Sequence, residues 1–524
     1  MLDHEPIFGK KLLKTLSTGM YDNPLFLFRE YVQNSADAID AAVRGGILSE
    51  NEGQIEITID AEKRLITFED NGTGIASDSV KRMLANVGDS TKDPKFNKGF
   101  IGIGRLGGLG YCQKVRFETS AQGEAVKSFL EWDAQKLQGI LLDKKDHTDA
   151  GRVIKHITNT WDEKHDANDH FFKVSLVDVN EPSEDLLNVD DIRQYLSMVA
   201  PVPFDYERFP FLEEIEKFLV EENLPKLHEY RLNLNGDEVR KGYENPFPIG
   251  EGRTIEILDV QCRTIRICEK SICWYWYCVS NFEGVLPAKC WQRGLRLRKS
   301  NIQIGESDCL TNHPRSNQQK LWKEDRGNNY FIGEVHALDE DLIPNARRDY
   351  FEQDKACQQF EVALKNEFLN LHQLYHDASA IRSASQSIQA AAKEKKEFET
   401  KEKKGAFYDK NERDKAAEKV SVATEKAKAA QRTVEKIREK ISEVKEEESF
   451  SPISHVYKSY FPTSTTPTIT PLTLDKHPKN GFAKDGIKKP IKDVLEIVFD
   501  VLCKRLPREE AETLKAEIIK RFTR

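Results

Sequence analysis

At 524 residues, 39% hydrophobic and 32% charged, the chain is too long for one ordinary domain and apolar enough for several packed cores. Its formal net charge of −8 excludes a generally basic nucleic-acid binder, though not a local basic patch. No charged-then-apolar leader opens the chain, and no run approaches the roughly 18 apolar residues of a membrane span. Nine scattered cysteines without a Cys-x-x-Cys pair fit the reduced thiols of a cytoplasmic protein.

The first informative stretch is Phe28–Asp40, FREYVQNSADAID. Read as a helix, it places Glu30, Asn34 and Asp37 on one face and leaves Val32, Ile39 and Val43 to face a core. A carboxylate one turn from an amide suits a general base beside a Mg2+ ligand, because Mg2+ prefers oxygen donors. The plainer reading is an amphipathic helix with a solvated polar face. Next, Ile55, Ile57 and Ile59, then Leu65, Ile66 and Phe68, alternate as strands and run into Asp70-Asn71-Gly72-Thr73-Gly74. The glycines permit a tight turn and close backbone approach to a flat ligand, and Asp70 can accept from an exocyclic amine. An ordinary Asp-Asn-Gly hairpin turn is the alternative. Lys98–Gly110, KGFIGIGRLGGLG, then offers backbone N–H groups to phosphates without the Gly-Lys-Ser/Thr ending of a Walker loop.

The order of these motifs resembles the GHKL ATPase superfamily, which includes heat-shock chaperones, type II topoisomerases, MutL, MORC proteins and histidine kinases. The details look closest to the 90-kilodalton heat-shock chaperone (HtpG-like) branch, over residues 1–375. The helix Arg29-Glu30-Tyr31-Val32-Gln33-Asn34-Ser35-Ala36-Asp37-Ala38, the lid-like Gly88-Asp89-Ser90-Thr91-Lys92 and the phosphate loop Gly99-Phe100-Ile101-Gly102-Ile103-Gly104 carry the likeness. The resemblance implies bound ATP and Mg2+. Glu30 would polarise the attacking water, Asn34 would ligate Mg2+, and Asp70 would hold the adenine amine with Gly72 and Gly74 near the base. Asp37 would support the nucleotide indirectly. Gly99, Gly102, Ile103 and Gly104 would face the phosphates, with Lys92 or Lys98 as a charge partner and residues 75–98 as a lid.

Further along, Lys114–Ser120, Ser128–Trp132 and Gly151–Ile157 read as strands. The family has a Gly-Thr-x-Ile strand whose hydroxyl lies near the base. The comparable run here is Gly151-Arg152-Val153-Ile154, with Thr158 and Thr160 as replacements for the missing hydroxyl. Arg231–Leu234, Thr254–Leu258, Arg263–Cys268 and Cys273–Val279 continue as strands of a domain resembling the superfamily's transducer. Its basic run Arg293, Arg296, Arg298 and Lys299 is either a solvated face or a nucleic-acid contact. Tyr330–Glu352 reads as a strand, then a polar loop that starts a helix. In the chaperones that loop sends an arginine to the γ-phosphate; Arg348 corresponds by position, with Arg347 beside it and a salt bridge to Asp349 or Glu352 as the plain alternative.

Between Ile381 and Glu448, Val420, Ala423, Ala427, Ala430, Val434, Ile437, Ile441 and Val444 recur three and four apart, a heptad seam. Gly405 breaks the helix, so two segments fold back as an antiparallel hairpin, within one chain or between two. Ser449–Lys484 is rich in Pro, Thr and Ser and reads as an exposed linker, although Val456, Tyr457, Tyr460 and Phe461 are apolar enough to dock. Pro490–Arg524 reads as two short amphipathic helices.

The expected architecture is therefore α+β: a GHKL (Bergerat) α/β sandwich at 1–160, a transducer domain at 165–375, a coiled coil at 377–448, a linker at 449–485 and a small helical unit at 486–524. Three functions follow. The first is a chaperone-like ATPase, a homodimeric clamp that remodels a protein partner, at family level within a prokaryotic defence system. The second is a MORC- or MutL-like clamp on DNA. The third is a nucleotide-binding scaffold, against which the intact Glu30 argues.

Overall fold

The alternation around Ile57 and Phe68 builds a hairpin at the heart of a large sheet. The computed structural model describes residues 8–17, 23–87, 98, 104–143, 145, 148–250, 252–312, 320–443, 451–462 and 489–522. Strands β1 (Gln54–Asp60) and β2 (Leu65–Asp70) pair antiparallel with Ile57 opposite Phe68. Opposed residues share a face, so Ile55, Ile57, Ile59, Ile66 and Phe68 point together and are buried. Strands β3 (Cys112–Ser120), β4 (Val126–Asp133), β5 (Thr158–Lys164), β6 (Phe171–Val179), β7 (Arg231–Leu234) and β8 (Asp237–Glu238) complete the order β5-β4-β3-β6-β2-β1-β7-β8. In this sheet, among the described residues, only β1 and β7 pair in parallel. The sheet thus runs past residue 160, where the sequence reading ended the first domain, as far as Glu238.

Helices α1 (Lys11–Ser17), α2 (Phe26–Arg44), α3 (Val80–Ala85), α4 (Ala134–Leu142), α5 (Ala150–Ile157) and α6 (Val189–Val199) accompany this sheet. Leu27, Phe28, Tyr31, Val32, Ala36 and Ile39 of α2 enter its core. The rings of Phe28 and Tyr31 lie 5.2 and 4.7 Å from that of Phe68. Burial of each such ring contributes roughly 1.5–3 kcal/mol, which pins α2, and with it Glu30, to the sheet.

One expectation is corrected here. Gly151–Ile157 lies within a helix, α5, not a strand. The Asp149 carboxylate caps it by accepting from Gly151 N at 2.8 Å. Ala150, Val153 and Ile157 recur three and four apart, and these are its buried residues. Arg152 is exposed on that helix and so does not stand in a strand at the adenine site.

The same compact unit, Met1–Val279 with Val285–His372, holds a second sheet. Helices α7 (Leu212–Glu221) and α8 (Cys309–Asn312) and the short pair β9 (Phe247–Gly250) and β10 (Arg253–Ile255) flank it in sequence. Strands β11 (Ile257–Ile267), β12 (Lys270–Ser280), β13 (Gly294–Lys299), β14 (Ile302–Gln303) and β15 (Ile332–Ala337) are ordered β11-β12-β15-β13-β14. β15 is central and every residue of it is buried.

Parallel pairing of β13 with β15 sets Arg296 opposite Glu334 and Arg298 opposite His336. The basic run is therefore neither a solvated face nor a nucleic-acid contact over Arg296 and Arg298, which are 4% and 0% exposed. Arg298 Nε lies 2.6 Å from Glu334 Oε1, Tyr243 donates to the same oxygen at 2.8 Å, and buried Lys241 stands 3.9 Å away. Burial alone would push Glu334 up; Arg298 and Lys241 outweigh it and hold the carboxyl well below the usual carboxylate range. Glu334→Gln leaves these cations without a counter-charge. It is expected to cost about 3–5 kcal/mol, read as a lower denaturant midpoint of this unit. An unchanged midpoint would mean that the cluster does not help to hold β13 to β15.

The second unit, Ser280–Gly284 with Gln373–Arg524, is built from helices joined by short turns, with the end of β12 and a loop at Ser280–Gly284. Helix α9 (Lys355–Lys403) runs into it and turns back as α10 (Lys410–Glu443). Gly405, at φ +57°, makes the reversal with a conformation that other residues adopt at a cost. Arg413 pairs with Glu402 at 2.6 Å and Lys419 with Glu394 at 3.5 Å, an antiparallel sequence of contacts. The Phe398 and Phe407 rings meet at 5.3 Å near the turn. Val420, Ala427, Val434 and Ile437 are buried as the heptad reading expects, but the intervening buried position is Thr424 rather than Ala423. Val444 lies outside the described residues.

Part of the expected linker is also helix: α11 (Pro452–Tyr460), whose Val456 and Tyr457 are buried together with Phe461. Tyr460 donates to Asn281 O at 2.7 Å and sits 3.0 Å from Glu283. Helices α12 (Lys489–Cys503) and α13 (Arg508–Phe522) end the chain. Among the described residues no helix is long and apolar enough to cross a membrane.

Candidate functional site

The polar face of α2 is not solvated. Glu30 is 7% and Asp37 3% exposed, and Asn34 between them is half-buried. Glu30 faces the backbone of Gly104: a Cβ built there would stand 2.7 Å from Glu30 Oε2. A side chain at 104 would thus displace the carboxylate, a physical reason for glycine at the position. Glu30 Oε1 is buried and accepts no hydrogen bond among the described residues. It is an unused acceptor of the kind a bound water or ligand satisfies. Tyr31, whose phenol burial pushes up, donates to Arg105 O at 3.3 Å and so tethers the chain just after Gly104 to α2.

Asp37 Oδ1 accepts from Lys98 N at 2.7 Å, which fixes the start of the glycine-rich segment. Gln33 donates to Lys98 O from the same helix. The Lys98 ammonium pairs with Asp40 and lies 5.3 Å from the Tyr230 ring centre. Its charge is met there by Asp40. Lys92, Gly99, Gly102 and Ile103 lie outside the described residues.

Asp70 ends β2, opposite Ile55 on one side and Phe172 on the other, and is 2% exposed. Its Oδ1 accepts from Gly72 N at 3.0 Å, closing the turn. The two turn glycines are needed for approach to protein as much as to any ligand. A Cβ at Gly72 would meet Ala38 C at 2.6 Å, and one at Gly74, where φ is +62°, would meet Ser120 O at 1.9 Å. The small Ala38 thus admits Gly72.

The hydroxyl that locks this loop comes from Thr119 on β3, a residue outside both the Asp70 motif and the run around Arg152. It accepts from Ile75 N at 2.8 Å and donates to Phe171 O at 2.9 Å. Thr158 and Thr160 stand on β5, at the far end of the sheet from β2. His170 is a second missed residue, with Nδ1 2.8 Å from Gly72 O. No local sequence signal marks either one; both depend on which strands become neighbours.

Arg348 reaches this site from the second sheet's side of the same unit. Its Nε lies 3.9 Å from Glu30 Oε1 and it is 6% exposed, whereas Arg347 is exposed. Arg348 sits at φ +54°, a conformation that costs a non-glycine residue roughly 1–2 kcal/mol. The turn is held by Arg348 N to Asn345 O at 2.9 Å and Gly305 N to Arg348 O at 2.8 Å. Gln303, fully buried, donates to Gly305 O at 2.9 Å, and its own carbonyl accepts from Arg29 at 3.4 Å. A chain of contacts therefore joins the residue preceding Glu30 to the turn presenting Arg348.

Residues 26–160 match the family described as histidine kinase-, DNA gyrase B- and HSP90-like ATPases. Those residues form a GHKL-type ATPase domain. Similar sequences include the chaperone protein HtpG of Shewanella loihica, 30% identical over 144 residues, covering 24% of this chain and 22% of the chaperone. HtpG of Psychrobacter arcticus is 27% identical over 175 residues, 30% of this chain and 27% of the chaperone. HtpG of Psychromonas ingrahamii is 31% identical over 141 residues, 23% and 22% respectively. The chain thus spans about a quarter of the length of these curated relatives.

Glu30, Asn34, Asp37, Asp70 and Gly104 all fall inside the GHKL-type segment, and Arg348 falls outside it. The donors present fit Mg2+. Asn34 offers a neutral oxygen that makes no hydrogen bond among the described residues, one helical turn from an unsatisfied buried carboxylate.

Proposed function

We propose that the chain is a Mg2+-dependent ATPase in which Glu30 is the general base and Arg348 stabilises the transferring phosphoryl group. The observation that carries this reading is the 3.9 Å approach of buried Arg348 to buried Glu30, from a turn whose backbone is strained at Arg348 itself. Glu30 takes the proton of the attacking water. The Arg348 guanidinium, a planar always-charged donor, bears on the equatorial oxygens as charge spreads over them. Asn34 would hold Mg2+, which supplies charge neutralisation to the phosphates. Asp70 holds the adenine amine, with Gly72 and Gly74 shaping the turn beside it. Gly104 brings backbone close to the reacting end, as Gly99, Gly102 and Ile103 are proposed to do. Asp37 anchors that loop through Lys98 N, and Lys92 or Lys98 is the candidate for phosphate charge.

In the wider reading, ATP binding and hydrolysis drive a homodimeric clamp that remodels a protein partner, in the cytoplasm and within a prokaryotic defence setting. A protein partner is preferred to DNA because Arg296 and Arg298 of the basic run are buried, Arg298 paired with Glu334 and Arg296 bonded to Gln303 and to Trp291 O, and so are not offered to a phosphate backbone. The nine free thiols agree with a reducing compartment.

Arg348→Ala is expected to lower turnover by about 10³-fold or more with little change in ATP affinity. Arg347→Ala is expected to behave as wild type. Both are read by phosphate release and by nucleotide titration. Loss of turnover in Arg347→Ala alone would move the arginine role one residue back and remove Arg348 from the mechanism.

A further inference from the structure

Gln303 carries a buried amide on β14, opposite Arg298 of β13. Its Oε1 accepts from Arg296 Nη1 at 2.7 Å, and its Nε2 donates to Gly305 O at 2.9 Å. The two ends of the amide are not interchangeable. A guanidinium only donates and a backbone carbonyl only accepts, so the oxygen faces Arg296 and the nitrogen faces Gly305. Packing alone would be served by an apolar side chain of similar size; the two polar contacts need an amide.

Gly305 passes this constraint on. Its φ is +64°, and a Cβ there would meet Asp349 O at 2.5 Å, so its backbone lies directly against the turn that carries Arg348. Gly305 N donates to Arg348 O at 2.8 Å. The N–H of Gly305 is thus held by the turn and its C=O by Gln303. The turn closes on itself through Asn345 N to Tyr350 O and Arg348 N to Asn345 O, both at 2.9 Å. Those bonds shape the turn, and the Gly305 contact helps to place it. At the other end, Gln303 O accepts from Arg29 Nη1 at 3.4 Å, and Arg29 precedes Glu30 on α2.

We propose that Gln303 is a positioning residue for Arg348: its side-chain amide fixes the Gly305 peptide, and through it the place of the Arg348 guanidinium beside Glu30. The role rests on the ATPase reading above, and it is exerted through Arg348 rather than by contact with ATP. Its leverage comes from geometry. Arg348 stands in a left-handed conformation at the base of a long side chain, so a small shift of the turn becomes a larger one at the guanidinium. A displacement of about 1 Å at a reacting group costs on the order of 100-fold in rate.

The test compares turnover and ATP affinity of the full chain in Gln303→Glu, Arg348→Ala and the two combined, each with its denaturant midpoint. Gln303→Glu keeps the shape and gives Arg296 an ionised acceptor, but it turns the donor facing Gly305 O into a second acceptor. Turnover is expected to fall by about 10- to 100-fold, with ATP affinity within about threefold of wild type. In the Arg348→Ala background the same change is expected to alter the residual turnover by less than about twofold, because the group it positions is gone. A purely structural role would lower the midpoint and reduce turnover by the same factor in both backgrounds. Gln303→Met keeps the volume and removes both contacts, and it supplies the same comparison where a buried carboxylate unfolds the chain. Full turnover in Gln303→Met, with turnover lost in Arg348→Ala, overturns this inference alone. An equal loss in both backgrounds does so too. Full turnover in Arg348→Ala overturns the proposed function, and this role with it.

Discussion

Glu30→Ala is expected to keep ATP affinity within about threefold of wild type while turnover falls by roughly 10²–10⁴. The expectation follows from where the carboxylate is held. Glu30 is on α2, whose Phe28 and Tyr31 are packed on Phe68, so its position is set by the sheet and not by a loop. Burial to 7% exposure and an Oε1 without a hydrogen-bond donor leave the group in low dielectric with an acceptor site to offer. Truncation removes the proton acceptor but not the backbone at Gly104 or the carboxylate of Asp70, and those are the groups proposed to bind. Glu30→Gln, which keeps the shape, is expected to be as inactive. Wild-type hydrolysis by either variant would remove Glu30 from the chemistry.

The second large effect is on binding. Asp70→Asn is expected to weaken ATP affinity by about 10- to 100-fold, the worth of one hydrogen bond to a charged group. Asn is the informative change because its amide oxygen can still accept from Gly72 N, the 3.0 Å bond that closes the turn. The loop is locked separately by Thr119 between Ile75 N and Phe171 O, so it should survive. Thermal unfolding should therefore match wild type while titration with ATP shows the loss. Unchanged affinity would take Asp70 out of the adenine site.

The parts of the site legible in the sequence were those in which chemistry and local geometry coincide. Glu30, Asn34 and Asp37 are three and four apart on one helix, and Asp70 follows an alternating strand. What stayed hidden depends on which strands become neighbours. Thr119 and His170 reach the Asp70 turn because β6 lies between β2 and β3, and no spacing rule reports that order. The error over Gly151–Ile157 arose from weighing a family motif above the three- and four-residue spacing of Ala150, Val153 and Ile157. The basic run misled because charge on a strand reads as exposure. Only the parallel register of β13 on β15 discloses that Arg296 and Arg298 face Glu334 and His336 in the interior. Arg348 is proposed from likeness of position, and its separation from Arg347 is a matter of backbone: a left-handed turn at Arg348 buries one side chain and leaves the other exposed.

The central claim is that one chain carries both ends of an ATP-hydrolysing site, Glu30 on α2 and Arg348 on the turn beyond β15. Phosphate release from saturating Mg2+–ATP, measured side by side for wild type, Glu30→Ala and Arg348→Ala with ATP affinity determined for each, tests it most directly. The account predicts steady turnover in wild type, loss of it in both variants, and affinities within about threefold of one another. Wild-type affinity with no turnover in any of the three, or full turnover in Arg348→Ala, would contradict it.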